Sequence, residues 1–336
     1  MANKRKSPEP IESLIHNIYS LNKEYIEDWI ESGGDINGED NDDKVLLFYA
    51  IVKGVTELVI VLLECGADVN KTDKYGCTPL YWAAEQLEIM KMLIEYKANI
   101  PQSAWEKQSE IVKLLIEYSA DVNKAGEYGD IPLYRAINEG HLEIVKLLIE
   151  HNANVNKANE FGDTPLYMAA ERGYLEIVNL LIKHNANVNK ADKYGVTPLY
   201  WAVWKGHLEV VKILVEHNAD VNDADKFGQT PLYNAAQKGH LGIVKMLIKH
   251  NATVYTKTKN GETVLDAAIH WKNQEIIRIV KEAIEIPWIP QRHHLYPPEV
   301  RKRIFTVMCL RMKSTQLNRL PKEIVFIILE YVPILL

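Results

Sequence analysis

The amino-acid sequence predicts an all-α solenoid with short β-hairpin arms, followed by a small C-terminal helical module. Three observations carry that expectation. Prolines recur every 33 residues, at Pro132, Pro165, Pro198 and Pro231, each inside an IPLY or TPLY tetrad. Each copy holds a stretch whose apolar residues fall at helical spacing, and the period stops after Ile286. Val264 in TVLDAA extends the series forwards, while Pro79 in TPLYWAA and Leu46 in VLLFYA, again 33 apart, extend it backwards. One unit cannot bury its apolar faces alone, so neighbours must stack around a shared core.

The elements follow in order. Residues 1–10, MANKRKSPEP, are charged with no apolar run behind them and are expected to be a flexible start. The unit is then clearest in Thr197 to Asn222, TPLYWAVWKGHLEVVKILVEHNADVN. Thr197 caps a first helix with Pro198 at its first position, where a missing N–H costs nothing. Gly206 and His207 make a turn. Val210, Val211, Ile213, Leu214 and Val215 give the second helix a broad apolar face. Asn218 stands where Gly66 stands in an earlier copy, at a left-handed helix cap that Asn tolerates second best to Gly, and Asn152, Asn185 and Asn251 repeat it. These residues resemble the ankyrin repeat, with its TPLH-type helix start, GH turn, second helix and ADVN hairpin arm. The resemblance covers roughly residues 11 to 285 and implies a protein-recognition solenoid.

One stretch breaks the period. Pro79 and Pro132 are 53 residues apart, where two units would need 66. The expected result is an irregular or truncated repeat around 98–127, lacking a hairpin and most of a first helix. Ser103 and Glu106 are placed to form a capping box that starts one continuous helix there. Such a segment is either a decayed repeat or a groove or hinge.

Composition excludes several function classes. With 336 residues, 47% hydrophobic and 25% charged, the chain is ordinary for a folded soluble protein, and no run reaches the apolar length of a membrane span. Three cysteines without metal-like spacing fit a reducing compartment, and a cytoplasmic monomer is expected. A net charge of -6 argues against general nucleic-acid binding. His151, His184, His217 and His250 recur once per unit, too far apart to share a metal, and are expected to be structural. His293-His294 lacks further ligands at metal spacing. No HExxH, P-loop, GxSxG or dinucleotide fingerprint occurs, so neither catalytic residues nor a cofactor nor a metal is expected.

A solenoid without chemistry works through its surface. By the ankyrin resemblance, the exposed face of the first helices and the arm tips form a concave target-binding surface. The residues there are Trp82, Arg135, Met168, Arg172, Trp201, Trp204, Lys205, Asn234 and Gln237. Trp201 and Trp204 lie three apart and share a helix face, a composition suited to a binding hot spot unless the rings fold down over the next repeat. Tyr75, Tyr128, Phe161, Tyr194 and Phe227 recur at the tips.

Beyond the repeats, four prolines (Pro287, Pro290, Pro297, Pro298) mark a linker at 286–297 and the start of a module at 298–336. Its last helix, LPKEIVFIILEYV from Leu320 to Val332, carries two apolar stripes and must be covered on two sides. It resembles the first helix of an F-box, as in the PRANC arrangement of poxviral and intracellular-bacterial ankyrin proteins. That resemblance implies a Skp-type adaptor of a cullin ubiquitin ligase as partner, docked through Leu320, Pro321, Glu323, Ile324, Ile327, Ile328 and Leu329. It would also imply a host-cell cytoplasmic location. Cys309 ahead of this helix also resembles a SOCS box, which implies an elongin-type adaptor instead. The alternative is a scaffold that masks or tethers a partner, with the C-terminal segment capping the stack.

Overall fold

A computed structural model of the protein describes residues 9–85, 102–126 and 128–285. The expected linker at 286–297 and the expected module at 298–336, with all seven proposed docking residues, lie outside the described residues. Among the described residues sixteen α-helices follow one another, with no strand beyond an isolated antiparallel bridge between Lys257 and Thr263. The chain divides into two compact units, Met1–Lys193 and Tyr194–Leu336.

In the first unit α1 (Ile11–His16) and α2 (Lys23–Glu31) precede four helix pairs. These are α3 (Leu46–Val52) with α4 (Thr56–Glu64), α5 (Pro79–Glu85) with α6 (Gln102–Glu117), α7 (Pro132–Asn138) with α8 (Leu142–Glu150), and α9 (Pro165–Arg172) with α10 (Leu175–Lys183). The first helices α3, α5, α7 and α9 pack side by side as one layer, and α2, α4, α6, α8 and α10 form the other. In the second unit α11 (Pro198–Lys205), α13 (Pro231–Lys238) and α15 (Val264–His270) form one layer. Their partners α12 (Leu208–Glu216), α14 (Leu241–Lys249) and α16 (Gln274–Glu285) form the second.

Local sequence fixes where each helix starts and stops. The hydroxyls of Thr164, Thr197 and Thr230 accept from the N–H groups of Tyr167, Tyr200 and Tyr233, with proline next in the chain. Gly206 ends α11 at φ +84°, and a Cβ there would stand 2.7 Å from the His240 ring. Glycine is therefore required twice over, by conformation and by space. Asn152, Asn185, Asn218 and Asn251 take φ of 66°, 63°, 66° and 67°, the left-handed caps their sequence positions predict. In α12 the buried residues are Val210, Val211 and Leu214, while Ile213 and Val215 remain half-buried, so the core-facing stripe is narrower than expected.

The arms are turns rather than paired strands. Asp225 Oδ1 accepts from the backbone N–H of Phe227 and of Gln229, both at 2.9 Å, and Asp73 does the same for Tyr75 and Cys77. An asparagine from each arm then reaches the next. Asn123 Oδ1 accepts from the Asn154 N–H at 2.7 Å and its Nδ2 donates to the Asn152 carbonyl at 3.1 Å; Asn156 treats Asn187 and Asn185 in the same way. Towards the tips, the carbonyl of Tyr128 accepts from Glu160 and that of Phe227 from Lys259, each at 2.9 Å.

Two of the expected segments are described in part. Glu9, placed in the flexible start, is held by α2: its carbonyl accepts from Trp29 Nε1 at 2.9 Å and its carboxylate from Tyr25 Oη at 3.0 Å. Of the stretch expected to be an irregular or truncated repeat around 98–127, residues 102–126 are described and pack as the second half of the α5 repeat. α5 packs directly on α7, and Asn70 bonds to Asp121 N–H at 2.8 Å and to the Ser119 carbonyl at 3.2 Å, the same contacts that join ordinary neighbours. The 53 residues from Pro79 to Pro132 are thus one repeat with twenty residues added to its 33. The surplus falls between α5 and α6, largely in residues 86–101, which are outside the described residues. A continuous helix, α6 from Gln102 to Glu117, occupies this stretch.

Leu214 is fully buried in the α12 face. Leu214→Ala should lower the unfolding free energy by ~2 to 5 kcal/mol in urea denaturation, from lost transfer energy and the cavity left behind. A loss below ~0.5 kcal/mol, the range of surface changes, would overturn the packing assigned to that helix.

Candidate protein-recognition surface

In the second unit the outer face is built from α11 and α13, whose equivalent residues stand 33 apart. Trp201 and Trp204 are half-buried and meet edge to face, with ring centres 6.5 Å apart. Trp204 also lies nearly parallel to the buried Tyr200 ring at 6.1 Å. Lysines cover both indoles: Lys205 Nζ is 5.3 Å from the Trp201 ring centre and Lys238 Nζ is 3.6 Å from that of Trp204. Each such cation–π contact is worth ~0.5 to 1 kcal/mol at an exposed site, enough to order a lysine without removing its charge from solvent.

Two residues expected on this surface are not on it. Asn234 is 0% exposed and Met168 9% exposed. Both occupy the third place after the helix-starting proline, as do Trp82, Arg135 and Trp201, which are half-buried. That place lies in the seam where neighbouring first helices pack, and only the longer side chains reach out of it. Neither amide atom of Asn234 has a hydrogen-bond partner among the described residues, and Gln237 Oε1 is likewise buried without one.

The first unit offers a different surface. A cavity of about 380 Å³ is lined by Tyr75, Tyr81, Trp82, Tyr128, Asp130 and Arg135, together with Cys77 and Gly126. Trp82 Nε1 donates to the buried carboxylate of Asp73 at 3.0 Å, which fixes its ring, and Lys44 Nζ lies 5.3 Å from the ring centre. The Arg135 guanidinium covers Tyr81 at 5.2 Å. Arg172 is exposed and donates to Asn138 Oδ1 at 2.6 Å.

Sequence patterns alone did not single out two features. Burial raises the Asp130 carboxyl above its ordinary range, against an Asn159 Nδ2 hydrogen bond at 3.1 Å and the charge of Arg135. Burial and the nearby charge of Asp192 push Asp163 up to about 6. Both stand just before the helix-starting position of their repeat, where Val196, Gln229 and Glu262 stand elsewhere, and only that alternation hinted at them. Trp271, 58% exposed at the end of α15, was also missed, although it stands 33 residues after Lys238.

Among the described residues no cluster of three or more His, Cys, Asp or Glu is arranged to hold a metal ion. No helix among them is long and apolar enough to cross a membrane. A model of ankyrin repeats in three copies matches residues 14–104, 101–159 and 155–225, and a many-copy ankyrin model matches 205–248. The chain belongs to the ankyrin-repeat family. Ankyrin repeats are protein-binding scaffolds, and the outer faces described above are where this ankyrin protein has side chains to spare from packing. Serine/threonine-protein kinase 12 of Arabidopsis thaliana is similar, at 34% identity over 100 residues, 28% of this chain and 22% of that protein. The match spans about a fifth of that relative's length and rests on ankyrin repeats, so the kinase in its name is not carried over.

Two measurements check the electrostatics and the seam. An unfolded Asp titrates near ~4. Asp163, at about 6 when folded, binds an extra proton in the native state between those values, so its contribution to stability falls as pH rises through that window and is flat above it. Carboxyl-carbon NMR should show one titration near pH 6 that Asp163→Asn abolishes, and the variant should flatten stability against pH between ~4 and ~6. In the seam, Asn234→Met places in α13 the residue that α9 buries at the same place. It should raise the unfolding free energy by ~1 kcal/mol by removing a buried amide with no partner; destabilisation would mean the amide is satisfied in solution.

Proposed function

We propose that this ankyrin protein is a non-enzymatic adaptor whose repeats hold a target protein while its C-terminal segment recruits a cullin-type ubiquitin ligase. The reading of target binding rests on one observation above the others: two indoles on a single outer helix face, each paired with a lysine, in a scaffold that does not need them there for burial. Aromatic rings beside cations give large contact area at low entropic cost, the composition of hot spots in protein interfaces. Trp82, Arg135 and Arg172 are the corresponding candidates in the first unit.

The recruiting half is supported by sequence. LPKEIVFIILEYV has an F-box-like start at Leu320 and Pro321, an acid at Glu323, and apolar stripes through Ile324, Ile327, Ile328 and Leu329. A Skp-type adaptor is the partner this pattern fits, with an elongin-type adaptor as second choice. Residues 291 to 322 hold eight Lys or Arg against one acid, a bias that steers acidic partners to this end of the chain.

One co-purification experiment separates the two halves. From cells expressing the full chain, Trp201→Ala with Trp204→Ala should lose the target, each truncation costing ~2 kcal/mol or more, while helical content is kept. Deleting residues 320–336 should lose the Skp-type adaptor and target ubiquitination but keep the target. Adaptor capture unaffected by the deletion would exclude ligase docking through this segment. Unfolding of the truncated chain would instead assign it to capping the stack.

A further inference from the structure

We infer that the aromatic cavity of the first unit is a pocket for one neutral aromatic side chain, phenylalanine, tyrosine or tryptophan, presented by a partner protein. The inference rests on the target-binding role proposed above and names what the partner brings to this unit. Gly126 stands where other arms carry Asp73, Asn159 and Asp225. Each of those side chains accepts from two backbone N–H groups of its own turn, and Asn159 also reaches back to Asp130 in the preceding repeat at 3.1 Å. Gly126 keeps the backbone part of the turn, its N–H donating to the Asp130 carbonyl and its carbonyl accepting from Gly129, both at 3.0 Å, but has no side chain to do the rest. Its φ lies outside the left-handed range, so conformation does not call for glycine here. Space does: a Cβ would stand 2.9 Å from Cys77 Sγ, and both residues line the cavity. The gap that Asn159 bridges one repeat later is left open.

The rings that wall this opening are already held. Trp82 is fixed by its bond to Asp73, Tyr81 lies under the Arg135 guanidinium, and Tyr128 stacks on Phe161 with ring centres 6.5 Å and planes 26° apart. Lys74 Nζ lies 5.2 Å from the Tyr75 ring centre. Tyr75 and Tyr128 are 46% and 57% exposed, so a partner reaches the cavity from solvent. At about 380 Å³ it falls in the range of pockets that take a ligand, roughly 300 to 1,000 Å³. Charge selects the guest. Tyr75, Tyr81 and Trp82 each carry a cation already, from Lys74, Arg135 and Lys44, so a lysine or arginine guest finds those rings taken. A carboxylate guest would be set beside Asp130, whose charged form burial already disfavours. A neutral ring meets neither penalty. It packs edge or face against walls that need no further ordering, which reduces the entropy lost on binding.

The test is selection of random linear peptides displayed on phage against the full chain, the selected peptides then being titrated against Gly126→Asn, Tyr75→Ala/Tyr128→Ala and Trp201→Ala/Trp204→Ala. Gly126→Asn puts into this arm the residue that the next arm carries. Circular dichroism and thermal melts show that each variant is folded; should Gly126→Asn not fold, the tyrosine variant carries the test. The wild type should select peptides that share one Phe, Tyr or Trp, and changing that residue to Ala should weaken binding about tenfold or more. Filling the gap with Asn, or removing the two tyrosine walls, should weaken the same peptide by a similar factor, while the Trp201→Ala/Trp204→Ala variant binds it as the wild type does. Peptides without a shared aromatic residue, or binding that both first-unit variants leave unchanged, overturn the pocket. If peptides are lost only by the Trp201→Ala/Trp204→Ala variant, the repeats still recognise a target and the pocket alone falls; if no form selects any peptide, the target-binding role falls with it.

Discussion

At the foot of an arm an asparagine crosses to the next repeat, accepting from its backbone N–H and donating a hydrogen bond to the carbonyl of the preceding left-handed cap. Asn70, Asn123 and Asn156 make both bonds, and Asn37 and Asn222 take the N–H of Asp68 and Thr253 at 2.7 Å. A turn cannot satisfy its own backbone groups as a helix does. This contact does it from outside, and so couples the geometry of one unit to the next. Helix caps act inside a unit; the asparagine, with the shared core, ties one unit to the next.

Because spacing is fixed there and in the core, the outer ends of the first helices are released from structural duty. That freedom is limited by reach. Trp82, Arg135 and Trp201 extend out of the seam, whereas Met168, Asn234 and Ala267 at the same place are buried. The surface that varies is therefore smaller than the set of positions that vary, and its chemistry is decided by which repeats carry a long side chain. The two units differ accordingly. The first has an aromatic-walled cavity with Asp130 and Arg135 in its lining, and the second a pair of indoles under lysines.

The repeat itself was legible because its devices are local and recur. Thr-Pro starts, left-handed asparagines and the periodic apolar stripe each predict one feature of one helix, and each is found. Two kinds of feature were not legible. Burial of Met168 and Asn234 depends on the distance between helices, which periodicity does not encode. The 53-residue spacing misled because the chain carries the second-helix pattern twice, as IMKMLIEYKANI at 89–100 and IVKLLIEYSADV at 111–122. Two copies of a second helix suggest two repeats; contacts show that the later copy serves the α5 repeat. The elevated Asp163 is a further case, since its cause is an acid of the next arm rather than anything beside it in sequence.

The junction between α5 and α6 has a meaning for how such a chain changes over generations. Twenty extra residues enter there, yet α5 still meets α7 and Asn70 still meets Asp121. Both connections are kept with twenty more residues in the chain between them. Added length that would shift every downstream element in a globular core is here absorbed in one repeat. The connection between the helices of a pair is thus the place where this architecture can acquire new sequence and try it without first losing the old fold.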